Sequence, residues 1–315
     1  MKKKKSKARR RTENIILFIL IFIAVVCFGI VLYKLGTYYK EDHENKDIAA
    51  KYSFRLDVPD KPIEVPDDDD IKNEPVQTEE TDTDDGSYDD VGIDYESLLG
   101  QNGDYAGWIR MANGVNYPIV RGKTTTEYLH LNFYKKYAYS GTIIMESANR
   151  LDYSDPNTIL YGHNMADGSM FAMNHKYKAE EYAKDNPYFF IHIKGGYFTY
   201  KVIACMVTKD GSKGYSMGLE NKDYFEDYKG FVQENSLYMT EEPQFGDRLV
   251  TLSTCTGRVG GTTRLLVIGK LKYFTTYSGI RVSGNYYFNT KPADEIYNPF
   301  LTKEIVNGQT ERHDG

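Results

Sequence analysis

The sequence predicts a mostly-β domain with inserted helices, built as a closed or nearly closed eight-stranded barrel and preceded by one transmembrane helix and a disordered acidic linker. Three observations predict it. A 19-residue run near the N-terminus carries no charge, charge is segregated into two blocks, and from about Val91 the chain becomes eight short apolar runs punctuated by Gly, Asn and Pro.

Residues 1–12 hold eight Lys/Arg and no acid, a block of +8. The run that follows, Ile15 to Tyr33, covers about 29 Å as a helix, close to the hydrocarbon thickness of a bilayer. It exits into Tyr33-Lys34-Leu35 with no small-residue cleavage site, which favours an uncleaved anchor over a signal peptide. Residues 15–35 are therefore assigned as the membrane helix and residues 1–14 as a basic cytoplasmic N-terminus, and the positive-inside rule sends the remainder to the outer face.

Residues 36–90 read as a disordered extracellular linker. Within them, residues 41–90 carry 19 Asp/Glu against five Lys/Arg, with four prolines and no helical or strand period. Such a segment buries too little apolar area to offset its ordering entropy and acts as a self-repelling tether. The run Asp67–Asp70 lacks the Gly and Glu that a calcium loop requires at its sixth and twelfth positions. The rest of the chain is nearly neutral, so nothing in it attracts nucleic-acid phosphates, and nucleic acid is excluded as a partner. Three cysteines, one in the membrane run, cannot staple a disulfide-rich fold.

Residues 91–273 form the domain. A helix is expected at Tyr95–Asn102. Strands are expected near Gly107–Arg110, Tyr117–Val120, Gly141–Met145, Thr158–Tyr161, Phe189–Ile193, Tyr197–Thr208, Arg248–Ser253 and Arg264–Lys272, where β-branched and aromatic residues concentrate. Helical patterns appear at Glu127–Asn132, Met170–Lys178 and Lys222–Glu234, the last with Tyr224, Tyr228, Phe231 and Val232 at three- and four-residue spacing. Eight strands with few inserted helices suggest barrel closure. Residues 274–315 mix Gly, Asn, Thr and charges and receive no element.

Two thiols lie outside the membrane run. Cys205 is in mid-strand, where a buried inert thiol is expected. Cys255 ends the strand Leu249-Val-Thr-Leu-Ser-Thr-Cys255 and opens a glycine-rich loop, a rigid yet accessible setting that suits a nucleophile; residue pattern alone leaves a structural cysteine equally open. His163 follows a strand that breaks at Gly162 and is presented in the same way, although local pattern alone favours a structural or surface role. His130, His175 and His192 have neighbours suited to surface or half-buried positions. Arg264 leads the strand after the Cys255 loop, where its fork could meet an oxyanion; Arg258, bracketed by glycines, is the rival cation. No metal site is expected, since no C-x-x-C, H-x-x-x-H or third ligand at a recognisable spacing is present.

Thr251-Leu-Ser-Thr-Cys255 with Arg264, and Tyr161-Gly-His-Asn164 upstream, resemble the sortases, membrane-anchored cysteine transpeptidases of Gram-positive bacteria. Ala106-Gly-Trp-Ile109, Asn116-Tyr-Pro-Ile-Val120, Ser154-Asp-Pro-Asn-Thr158, Asp167-Gly-Ser-Met-Phe171 and the helical insertion before Arg248 resemble class B in particular, over roughly residues 91–272. The resemblance implies a sortase-like eight-stranded barrel with no cofactor, Cys255 as nucleophile, His163 as general acid and base, and Arg264 as stabiliser of oxyanion or substrate. Ser253, Thr254 and Asn164 would contact substrate. The implied partners are secreted proteins with a C-terminal sorting motif, cleaved after Thr, and a lipid-linked peptidoglycan precursor whose amine resolves the thioacyl enzyme. A pilin polymerase using a Lys acceptor, an extracellular-face cysteine protease and a non-catalytic wall-binding module are the alternatives. The tail after Tyr273 departs from the family pattern.

Overall fold

The computed structural model describes residues 7–56, 63–64, 86–256 and 261–289. The chain divides into two bodies, residues 1–46 and 47–315.

The first body is the greater part of helix α1 (Lys7–Tyr52). The segment from Arg11 onward is long and apolar enough to cross a membrane, and the large apolar side chains of Ile15–Leu32 are exposed all round it. The helix does not stop at residue 35. Residues 36–52, expected as disordered linker, continue it, because this stretch contains no proline and offers Lys40–Glu44 and Asp42–Lys46 pairs one turn apart, at 3.8 and 2.6 Å. Its acidity was the misleading signal, since acids alternating with lysines support a helix.

In the second body, the last turns of α1 bury Ile48, Ala49 and Tyr52 in a cluster with Ile93, Leu98, Tyr105 and Trp108. Then come β1 (Ser53–Arg55), β2 (Ile63–Glu64), β3 (Val91–Ile93), α2 (Tyr95–Gln101), β4 (Tyr105–Met111), β5 (Asn116–Val120), β6 (Ile143–Met145) and β7 (Asn157–Tyr161). A 3-10 segment at Phe171–Lys178 leads to α3 (Glu180–Asp185), β8 (Tyr188–Ile193) and β9 (Gly196–Lys209). The chain continues through α4 (Lys222–Asn235), β10 (Ser236–Met239), β11 (Leu249–Cys255), β12 (Thr263–Thr276), β13 (Ile280–Ser283) and α5 (Gly284–Asn289). The order β9-β8-β4-β5-β6-β7-β11-β12 closes when β12 pairs back onto β9, giving the eight-stranded barrel. Most neighbours are antiparallel; β5–β6 and β7–β11 are parallel.

All eight expected strands are present with ends shifted by a few residues. Glu127–Asn132 forms turns, not a helix. Helix α4 is capped by Asn221, whose side chain accepts from the N–H groups of Asp223 and Tyr224 at 2.9 and 3.2 Å. It buries Phe225, Tyr228 and Val232 against β9, β11 and β12, while Tyr224 points outward.

The domain also takes in residues from both flanks. Asp89, expected in the linker, is 5% exposed and receives Arg110 on Oδ1 and His192 Nε2 on Oδ2, the latter at 3.1 Å. On the other side of the fully buried His192 ring, Nδ1 lies 3.1 Å from the Tyr277 hydroxyl, which itself accepts from the Ile93 N–H. The Asp89 carboxylate can only accept, so Nε2 carries a proton. Buried Arg281 donates to the Ser87 carbonyl and hydroxyl at 2.9 and 3.2 Å. Beyond Tyr273, β12 runs on to Thr276, and Tyr287 of α5 packs on Phe274 with ring centroids 4.3 Å apart. Residues 290–315 of the tail, and residues 57–62 and 65–85 of the linker, lie outside the described residues.

Candidate active site

Strands β7 and β11 run parallel, with Tyr161 opposite Ser253 as their last pair. Two residues further along each chain come His163 and Cys255, so both side chains leave the same end of adjacent strands, which are about 4.8 Å apart. Two bonds tie these ends together. The Gly162 N–H donates to the Ser253 carbonyl at 3.1 Å, and the Thr254 hydroxyl donates to the Gly162 carbonyl at 2.7 Å. Gly162 is required at the break, since a Cβ there would sit 2.6 Å from the Phe171 ring. Across β12, Arg264 is the register partner of Cys255, which puts the two side chains on one face of the sheet.

His163 is held from several sides. Nε2 lies 2.8 Å from the Leu129 carbonyl, which can only accept, so Nε2 carries a proton and Nδ1 is left to exchange one. The His130 and Tyr139 rings lie nearly parallel to it, at centroid distances of 5.6 and 6.4 Å. Burial holds the imidazole below the ordinary histidine value, opposed by the Leu129 carbonyl and reinforced by His130. The shift favours the neutral ring, whose Nδ1 can accept a proton.

Arg264 Nη2 donates to Asp210 Oδ2 at 2.8 Å, and Nη1 donates to the carbonyls of Gly261 and Thr263 at 2.7 and 3.2 Å. Thr125, Leu129, His163, Asp210, Cys255 and Arg264 line a common open cavity of about 290 Å³. Cys205 is fully buried in β9, and burial pushes its thiol up to about 12. Arg258 lies outside the described residues.

The other expected site residues divide. Ser253 and Thr254 line the cavity but are nearly buried, and their hydroxyls are engaged, Ser253 with the Tyr215 hydroxyl at 2.7 Å and Thr254 as above. Asn164 is exposed and does not line the cavity.

Sequence reasoning missed Asp210, the Leu129 carbonyl and His175. Asp210-Gly211 reads as an ordinary turn dipeptide, and a carbonyl has no side-chain signature. His175 puts Nε2 3.2 Å from the Cys255 carbonyl, and His192, expected at or near the surface, is wholly interior.

Comparison with known proteins shows the family. A family profile described as the sortase domain matches residues 110–272. Sortase B of Listeria monocytogenes is 34% identical over 187 residues, which are 58% of this chain and 75% of that protein. The solved sortase B–substrate complex of Staphylococcus aureus superposes with a TM-score of 0.53 at 29% identity, covering 56% of this chain and 84% of that one. Clostridium perfringens sortase B gives 0.52 at 30% identity, covering 56% and 98%. Since the profile spans just over half of the chain and three-quarters of the Listeria protein aligns with it, the chain belongs to the sortase family of cysteine-dependent transpeptidases, within class B.

Proposed function

We propose that this sortase is anchored in the cell membrane by α1 with its N-terminus in the cytoplasm, and that it joins secreted proteins to a cell-wall precursor on the outer face. The observation that carries the reaction is the placement of Cys255 and His163 at adjacent parallel strand ends, with Arg264 opposite the cysteine. The Cys255 sulfur attacks the Thr carbonyl of a sorting motif while its proton passes to Nδ1 of His163. Arg264 meets the oxyanion of the tetrahedral adduct. Collapse breaks the peptide C–N bond, and His163 returns the proton to the leaving amine, leaving a thioacyl enzyme. The amine of a lipid-linked peptidoglycan precursor then attacks, loses its proton to His163 and displaces the sulfur, which takes the proton back. No cofactor is required. Ser253 and Thr254 serve by fixing the strand ends, and the exposed side chain of Asn164 is the one of the three open to a peptide.

The test is incubation of the full chain in detergent micelles with five-residue sorting peptides and candidate amines. Mass spectrometry should find the peptide acylated on Cys255 and then ligated through Thr to the amine. Hydrolysis at full rate with or without amine would make the protein a protease, and preference for a protein Lys would make it a pilin polymerase.

Arg264→Ala should lower turnover by on the order of 10²–10³-fold, the usual cost of one preorganised oxyanion donor. Arg264→Lys should recover only part, because it keeps the charge and loses the planar fork. Arg258→Ala should cost less than about tenfold. The reverse ranking of the two alanine variants would move the cation into the glycine-rich loop.

Topology is tested separately. Protease added to wall-stripped cells should release the domain; resistance there with digestion in inverted vesicles would reverse the orientation.

A further inference from the structure

Arginine has five N–H donors. In Arg264, Nη1 bonds to Gly261 and Thr263, carbonyls of its own turn that travel with it, so neither fixes the guanidinium against the rest of the site. Among the described residues, the partner that does so from another part of the fold is Asp210, just beyond the end of β9. The placement of Asp210 is itself determined: β9 pairs with β12 through Thr208 opposite Arg264, and the Asp210 N–H donates to the Thr262 carbonyl at 2.7 Å.

Stability does not account for this pair. The Asp210 side chain is 53% exposed, and ion pairs so open to water contribute little. A carboxylate is also unwelcome on electrostatic grounds in a cavity where an oxyanion develops, since like charges repel. What the bond does accomplish is directional. It takes one Nη2 N–H and restrains the fork from outside its own turn, leaving Nε–H and the second Nη2–H as donors on a side chain that lines the same cavity as Cys255.

We propose that Asp210 is a positioning residue for the reaction, holding the Arg264 guanidinium in the orientation in which it meets the tetrahedral adduct on Cys255. The proposal rests on the reading of Arg264 as the oxyanion or substrate donor. A residue that acts only through Arg264 cannot cost more than the loss of Arg264, and it has nothing left to do once Arg264 is gone.

The experiment is a double-mutant cycle on the full chain in micelles, using the five-residue peptide turned over in the screen above and hydroxylamine as acceptor. Asp210→Ala should lower kcat by about tenfold with KM changed by less than about twofold, the pattern of an interaction made in the transition state. Asp210→Asn, which keeps an oxygen acceptor and the same shape, should lose less; it also carries the test if the alanine variant does not fold. In the Arg264→Ala background, adding Asp210→Ala should change kcat by less than about twofold. An equal fractional loss in both backgrounds would show that Asp210 acts independently and overturn the proposal. So would an unaltered kcat in Asp210→Ala beside an impaired Arg264→Ala. Full activity of Arg264→Ala would instead remove the reading on which the proposal stands.

Discussion

Cys255→Ala should reduce both peptide cleavage and transfer to background, a loss on the order of 10⁵-fold or more, since removal of a covalent nucleophile leaves only binding and oxyanion stabilisation. Cys205→Ala should keep wild-type turnover and lose at most some stability. The two thiols differ by environment alone. Cys205 is fully buried in mid-strand with its thiol pushed up to about 12, so it has neither thiolate nor access; Cys255 is half-buried at a strand end and lines the cavity. Intact-mass analysis after brief exposure to peptide should place the acyl group on Cys255. An acyl group on Cys205, or turnover surviving in Cys255→Ala, would overturn the assignment.

The second large effect is on stability and involves no catalytic group. Asp89→Ala should destabilise the domain by about 3–5 kcal/mol, because it strands Arg110 and the buried His192 without their anion. At roughly 2–4 °C per kcal/mol for a domain of this size, Tm should fall by on the order of 10 °C.

The pH dependence follows from the same group. Burial works to raise the Asp89 carboxyl, but the His192 hydrogen bond and the Arg110 charge outweigh it, and its folded value lies below the ordinary carboxylate value. Its contribution is therefore complete above about pH 4 and is lost as pH falls through the depressed folded value. His192 is also depressed, chiefly by burial, so the unfolded chain takes up its proton first and stability declines from about pH 6.5 downward. Urea denaturation at pH 7, 4 and 3 should show a decline in the wild-type protein, and Asp89→Asn should be less stable at pH 7 with a flatter slope between 4 and 3. An unaltered slope there would mean that another carboxylate controls acid unfolding.

Asp89 also marks where sequence reading ends. Strands of five or more residues were legible because their β-branched and aromatic runs repeat a local pattern, and the strand-end positions of Cys255 and His163 were legible because each stands where such a run breaks, while their proposed roles came from the family resemblance. Composition is an average, however, and Ser87 and Asp89 were averaged into an acidic linker. What places them in the domain are His192, Arg281 and Tyr197, partners far along the chain. Strands β1, β3 and β13 escaped for the same reason, since three or four residues show no period and exist only through pairing, whereas the equally short β6 lies within the apolar run Gly141–Met145. The orientation of Arg264 was hidden too: its position in the sequence shows a strand start, but the direction of the guanidinium depends on Asp210.

The barrel's connectivity has a consequence for how the enzyme comes into being. His163 and Cys255 sit on neighbouring strands that are parallel, so no hairpin can bring them together, and the barrel seals only when β12, near the end of the domain, reaches β9. Contacts of such long sequence separation form slowly, because loop-closure entropy must be met before they stabilise anything. A partly folded chain thus has the Cys255 thiol without His163 beside it and without Arg264 opposite. On the proposed reading of the site, acyl transfer starts with the completed barrel, so the chain folds without a competent nucleophile.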